Sequence, residues 1–163
     1  MNFNRLFITF GGSGLAPKAP GTVGSFAALI VGLIILKFTT METLFILTVA
    51  ITVIGIFEIN KYEKATGTHD DKSIVIDEVS GMWITLMLAL STAKTMDYMY
   101  VNEIAILASF ATFRLFDIWK PSTIGTIDRK VKGGLGVMGD DVLAGIAGGL
   151  LTIVLLIGLD NIL

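Results

Sequence analysis

Val142-Leu143-Ala144-Gly145-Ile146-Ala147-Gly148-Gly149-Leu150-Leu151-Thr152-Ile153-Val154-Leu155-Leu156-Ile157-Gly158-Leu159 is a run of 18 residues without one charge. At 1.5 Å per residue it makes a helix about 27 Å long, close to the roughly 30 Å of a bilayer core. Four more apolar segments precede it, at about 22–38, 43–60, 74–90 and 101–119. Each is a short span of about 24–29 Å. Thr43–Ile59 and Val142–Leu159 are the cleanest, whereas the third and fourth segments carry Asp77-Glu78 and Arg114/Asp117 near one end. Before them, Phe3, Leu6, Phe7, Ile8 and Phe10 fit a short N-terminal interfacial helix. Thr22, after Pro20-Gly21, is the expected N-cap of the first span. The reading is an all-α, compact helical membrane bundle, with about five hydrophobic helices in a single domain, 1–163.

Composition agrees. Hydrophobic residues make up 53% of the 163 and charged residues 16%, with a mean hydropathy of +0.79. An average soluble domain carries roughly 25% charge. A net charge of −2 argues against a nucleic-acid partner, which calls for a basic excess. The absence of cysteine excludes a disulfide framework, a thiolate nucleophile and a cysteine zinc site. Gly145 and Gly149 form a small-xxx-small pair that permits close helix contact.

If all five segments cross, one side holds Arg5, Lys18, Lys61, Lys64, Lys72, Lys120, Arg129, Lys130 and Lys132. The other holds only Lys37 and Lys94. Nine cations against two place the N-terminus in the cytoplasm and the C-terminus outside.

The chemistry-bearing residues fall on or near the nine-cation face. Asp77 and Glu78 sit just inside an apolar segment, where carboxylates are costly unless paired, metal-bound or wetted. An ion pair with Arg114 is the plain alternative. Asp140-Asp141 opens the fifth segment, where a helix dipole accounts easily for one acid and less well for two. Four carboxylates without cysteine and with a single histidine suit Mg²⁺ or Mn²⁺ better than zinc. Arg114, Asp117 and Lys120 follow at i, i+3, i+6, along one side of a helix end. The guanidinium fits phosphate or carboxylate, and a salt bridge from Arg114 to Asp117 is compatible with either. The stretch 120–140 is expected to be a basic, glycine-rich loop. Lys130 and Lys132 suit snorkelling anchors near anionic lipid, while Arg129 beside Asp128 could do that or bind phosphate. His69, the one histidine, is a candidate acid, base or ligand. Gly134-Leu135-Gly136-Val137-Met138-Gly139 matches the dinucleotide fingerprint literally, but no strand precedes it and no βαβ alternation follows. Gly134 and Gly136 more simply let backbone N–H groups approach a phosphate, or let a neighbouring helix approach.

These motifs together resemble the bacterial phosphatidylglycerophosphatase A family over nearly the whole chain. The matching pieces are Gly12-Ser13-Gly14-Leu15-Ala16-Pro17, Pro20-Gly21-Thr22-Val23-Gly24-Ser25, His69-Asp70, Ile74-Val75-Ile76-Asp77-Glu78 with Gly81-Met82-Trp83, Phe113-Arg114 to Lys120-Pro121, and Asp128-Arg129 to Asp140-Asp141-Val142-Leu143-Ala144-Gly145. The chain departs at Ser122-Thr123-Ile124, where family members often carry a second proline. The resemblance implies an all-helical, Mg²⁺-dependent lipid phosphatase that converts phosphatidylglycerophosphate to phosphatidylglycerol. On that reading Asp77, Glu78, Asp140 and Asp141 hold the metal, and Arg114, Lys120 and Arg129 bind the phosphate together with Gly134 and Gly136. His69, Asp117 and Asp128 are the candidate catalytic groups, with a carboxylate nucleophile still open. The expected partners are the phospholipid substrate and the membrane, with no nucleic acid. The expected location is a bacterial cytoplasmic (inner) membrane, crossed several times, with the site at the cytoplasmic leaflet. The rival from another class is a small divalent-cation transporter or channel, whose acids would line a path to the midplane; another phospholipid phosphatase is the nearer alternative.

Overall fold

A computed structural model describes residues 2–68 and 71–162, the side chains of Ser122 and Asp128 aside. The chain is all-helical: α1 Phe3–Ile8, a 3₁₀ turn Ser13–Leu15, α2 Pro20–Phe38, α3 Met41–Thr66, α4 Ile76–Ala93, α5 Val101–Trp119, α6 Ser122–Lys130 and α7 Gly134–Asp160. The five apolar segments are α2, α3, α4, α5 and α7. Among the described residues, α2, α3 and α7 are long and apolar enough to cross a membrane on length and composition.

The bundle is built around α4, which packs against α2, α3, α5 and α7. It buries Trp83, Leu86 and Met82 together with Ser80 and Thr85. The outward faces show the reverse chemistry: Phe26 and Ile34 on α2, Phe45 and Phe57 on α3, Leu107 on α5 and Val154 on α7 are all exposed. Apolar groups outside and hydroxyls inside is the arrangement lipid selects, because hydrocarbon offers helices no hydrophobic reason to associate. Hydrogen bonds join the helices instead. Trp83 Nε1 donates to Ala28 O (2.8 Å), Thr52 Oγ1 to Ser80 Oγ (3.0 Å) and Thr85 Oγ1 to Gly145 O (2.8 Å), and the Thr112 and Thr152 hydroxyls meet at 2.7 Å. A Cβ on Gly145 would overlap Gly81 O, and one on Gly81 would overlap Asp141 O and the Phe113 ring. This glycine contact draws α7 down onto α4.

Three boundaries differ from expectation. Helix α2 starts at Pro20 instead of being capped by Thr22, because proline is pre-organised for the first helical position. Within the stretch expected to be a loop, Ser122–Lys130 is helix; Ile124 is buried and Ile127, three residues on, half-buried, which gives that turn its inward face. Helix α7 begins at Gly134, six residues ahead of Asp140. The acid pair therefore lies in the second turn, and the helix-dipole account of Asp140-Asp141 no longer applies.

Short contacts tie down the site end. Asn4 Nδ2 donates to Glu58 O (2.9 Å), Val75 N to Ile8 O (2.9 Å) and Tyr62 Oη to Asp71 Oδ2 (2.6 Å). That hydroxyl, helped by the Ser73 N–H, holds the Asp71 carboxyl below its ordinary value.

Candidate active site

The N-terminal ends of α2, α4 and α7 and the C-terminal end of α5 converge at one end of the bundle. There the buried polar groups meet. Glu78, in the first turn of α4, takes two hydrogen bonds on Oε2: one from Arg114 Nη1 at 2.7 Å and one from Ser25 Oγ at 2.5 Å. Arg114 also pairs with Asp117 Oδ2 at 2.5 Å, one turn along α5, and donates to Ser25 Oγ at 3.1 Å. The i, i+3 spacing of Arg114 and Asp117 thus makes the expected pair, and the guanidinium serves Glu78 as well. Side chains here are nearly closed off from solvent: Arg114 is 14% exposed, Glu78 9% and Asp117 11%. Gly21 makes this possible, since a Cβ there would overlap Glu78 Oε1.

Asp141 completes the group from α7. Glu78, Asp117 and Asp141 each offer one carboxylate oxygen, and those oxygens lie within 4.8 Å of one another. Asp141 Oδ2 is buried with no hydrogen-bond partner, and so is Arg114 Nε. Three carboxylates around one guanidinium leave an excess of negative charge in a dry site, where an uncompensated charge is costly. All-oxygen donors with an orphaned carboxylate oxygen fit a hard divalent cation.

The other expected metal ligands stand one step back. In both acid pairs the first carboxylate accepts the backbone N–H of the second: Asp77 Oδ1 from Glu78 N and Asp140 Oδ1 from Asp141 N, each at 3.0 Å. Asp140 Oδ2 is held by Lys120 Nζ at 2.5 Å. So the structure gathers Glu78 and Asp141 from the expected set and adds Asp117, expected as a proton carrier.

Lys120 is the C-cap of α5 in a left-handed conformation (φ 43°), a strained backbone for a residue with a Cβ. Arg129 lies on α6 and is exposed, with Nη1 close over Gly125, which in turn packs on Lys120 O. Gly134 N donates to Asn60 Oδ1 (2.8 Å) and Gly136 N to Gly133 O (3.0 Å). Both glycines lie against backbone, of Ile56 and Val131, so close packing accounts for them. His69 lies outside the described residues, as does the side chain of Asp128. Ser25 is the residue sequence reasoning passed over. Its only signal was its place in the Pro20-to-Ser25 piece that carries the family resemblance.

A bundle with an apolar exterior and a buried acid–guanidinium cluster at one end defines a membrane protein with a built polar site. The sequence model of the family described as phosphatidylglycerophosphatase A matches residues 6–156. Phosphatidylglycerophosphatase A of Escherichia coli (strain K12) is 41% identical over 135 residues, 83% of this chain and 73% of that protein. Its Haemophilus influenzae counterpart is 40% identical, covering 83% and 77%. A protein of Bacteroides thetaiotaomicron named putative phosphatidylinositol-3-phosphatase is 41% identical over 139 residues, covering 83% and 82%. No solved structure matches the chain. The chain belongs to the phosphatidylglycerophosphatase A family. It is a phosphoric monoester hydrolase.

Proposed function

We propose that this protein removes the terminal phosphate of phosphatidylglycerophosphate, leaving phosphatidylglycerol and inorganic phosphate. The reaction takes place at the cytoplasmic leaflet of a bacterial inner membrane and depends on Mg²⁺. The observation that carries the reading is the unpartnered Asp141 Oδ2 within a three-carboxylate group, facing a single arginine at the loop end of a lipid-facing bundle.

In this reading Glu78, Asp117 and Asp141 hold the metal. When bound, Mg²⁺ supplies neutralisation of phosphoryl oxygens and a lowered pKa for the attacking water. Arg114 fixes the Glu78 and Asp117 carboxylates, and Ser25, itself bonded to Arg114, donates to the same Glu78 oxygen. Helix packing hides these groups from bulk water, which strengthens every charge interaction among them. Hydrolysis needs an acceptor for the proton of the attacking water and a donor for the departing glycerol oxygen. Asp117 is the candidate for both transfers among the described residues, since His69 and the side chain of Asp128 lie outside them. Exposed Arg129, and Lys120 paired with Asp140, bring positive charge to the rim, where the dianionic terminal phosphate would enter. Membership of an enzyme family removes the reason for a carrier, and the acids gather at one end instead of along a path through the bundle.

The test is phosphate release from phosphatidylglycerophosphate in detergent micelles, with Mg²⁺ and then with excess EDTA. Wild type should release phosphate only with the metal, and Asp141→Asn should lose at least about 100-fold, the scale of losing one preorganised electrostatic group. Near-normal turnover in the variant would sink the metal assignment. Because one relative bears a phosphatidylinositol-3-phosphatase name, phosphatidylinositol 3-phosphate belongs beside the first substrate. Preference for it would change the headgroup while leaving the site.

A further inference from the structure

A groove of about 840 Å³ opens between α3, α4 and α7. Val49 and Val53, Ile84 and Leu88, and Ile146 and Leu150 form its walls; Val142 also lines it, and Met41 and Glu42 mark its far end. Val142 directly follows Asp141. The near end of the groove and the acid cluster therefore occupy adjacent faces of one turn of α7. From Val53 to Met41 the groove follows α3 for twelve residues, about 18 Å at 1.5 Å per residue. That exceeds half of a roughly 30 Å hydrocarbon core, the depth one lipid chain reaches from its own headgroup.

The wall chemistry is hydrocarbon. The two threonine hydroxyls on its α3 wall are satisfied within the protein: Thr52 Oγ1 bonds with Thr48 O and Ser80 Oγ, and Thr48 Oγ1 donates to Leu44 O, which leaves Ser91 and Glu42, towards the far end, as the polar lining. Where α7 packs on α4 and α5, it comes close at glycines and at a cross-helix hydroxyl pair, Gly81–Gly145 and Thr112–Thr152. Close helix association in lipid favours such small residues. The groove walls offer no glycine, only branched and bulky side chains at the positions named, which suit a slender flexible chain better than a docking helix.

We propose that this groove seats one acyl chain of the lipid whose phosphate occupies the acid cluster, so that the enzyme selects its substrate partly by chain length. The proposal rests on the lipid-phosphatase reading above and adds the part of the lipid which that reading leaves unplaced. Seating the chain fixes the height of the headgroup over Asp141, and because lipid is as apolar as the groove the gain lies in that positioning, not in a hydrophobic transfer.

The test compares phosphate release from dihexanoyl and dipalmitoyl phosphatidylglycerophosphate in mixed micelles at equal mole fraction. Val49→Trp and Leu150→Trp fill the groove, and Ile34→Trp places the same bulk on the exposed lipid face of α2. Wild type and the Ile34 variant should favour the long-chain substrate by about 10-fold in kcat/KM. The groove variants should lose that preference through a raised KM, with short-chain turnover unchanged. Retained preference in both groove variants would overturn the proposal. So would a changed oligomeric size in detergent, which would mark the groove as a protein contact. No phosphate release by wild type from any lipid would fail the phosphatase reading instead. The groove is then decided by photocrosslinking with a diazirine-bearing long-chain lipid phosphate. Saturable labelling on α3 and α7 supports it, and labelling spread evenly over exposed helix faces overturns it.

Discussion

At the scale of single residues the site is a matter of charge counting. Among the described residues, Arg114 is the cation in contact with Glu78 and Asp117, and Asp141 lies within reach of the same acids. Replacing Arg114 with leucine leaves buried acids uncompensated and should cost about 3–5 kcal/mol, the usual cost of removing one partner of a buried pair. Arg114→Lys keeps the charge but not the planar fork, so it should fold nearly normally and lose most activity. Thermal unfolding in detergent, paired with a phosphatase assay, separates the two effects. An unchanged melting temperature in the leucine variant would show that the acids are balanced by something other than Arg114. The ionisable residues themselves were legible, because charges in a chain this apolar stand out. Their partners were not. Glu78 and Arg114 are 36 residues apart, and only helix packing decides that Asp141 joins the acid cluster while Asp140, equally buried, turns to Lys120. Adjacent residues on a helix point about 100° apart, so a pair such as Asp140-Asp141 carries no mark of which one meets the other acids.

Between helices, the contact of α4 with α7 sets the position of Asp141. Gly145 is one turn beyond that acid, and a Cβ there would overlap Gly81 O. Gly145→Ala should therefore push α7 outward, with an overpacking cost of about 1–3 kcal/mol and a larger loss of activity, since the carboxylate moves with the helix. Gly158 gives the matched control: nothing lies within 4 Å of a Cβ built there, so Gly158→Ala should leave activity intact and stability equal or slightly raised. Equal behaviour of the two variants, in melting temperature and in turnover, would mean that the glycine contact does not position the site. Apolar runs of span length are enough to mark α2, α3, α4, α5 and α7 in the sequence. The short helix α6 escaped because nine residues with two inward isoleucines make no span-length signal. The start of α7 escaped because glycine is a poor helix former, and close packing on Ile56 and Val131 overrides that preference.

For the whole molecule, lipid and protein contacts have divided the hydrophobic residues in a way hydropathy alone misranks. Helices α2, α3 and α7 are the apolar ones because they face outward; α4 is more polar because its serine, threonine and glutamate side chains face inward. The most central helix is thus not among the three that length and hydropathy select. Its 18 residues and the 19 of α5 match the 19 of α2, so we expect α4 and α5 to reach the far face with it. With those crossings, the cation imbalance predicts Lys64 and the acid cluster on the cytoplasmic side and Lys94 outside. Because the chain has no cysteine, Lys64→Cys and Lys94→Cys each introduce a unique thiol at an exposed position. A membrane-impermeant maleimide should label the Lys94 variant in intact spheroplasts and the Lys64 variant only after lysis. The reverse pattern would invert the protein and move its site to the other leaflet. A Lys94 variant that stays unlabelled even after lysis, while the Lys64 variant reacts, would mean that α4 and α5 turn back within the bilayer. Five crossings would then become three, with the acid cluster still facing the cytoplasm.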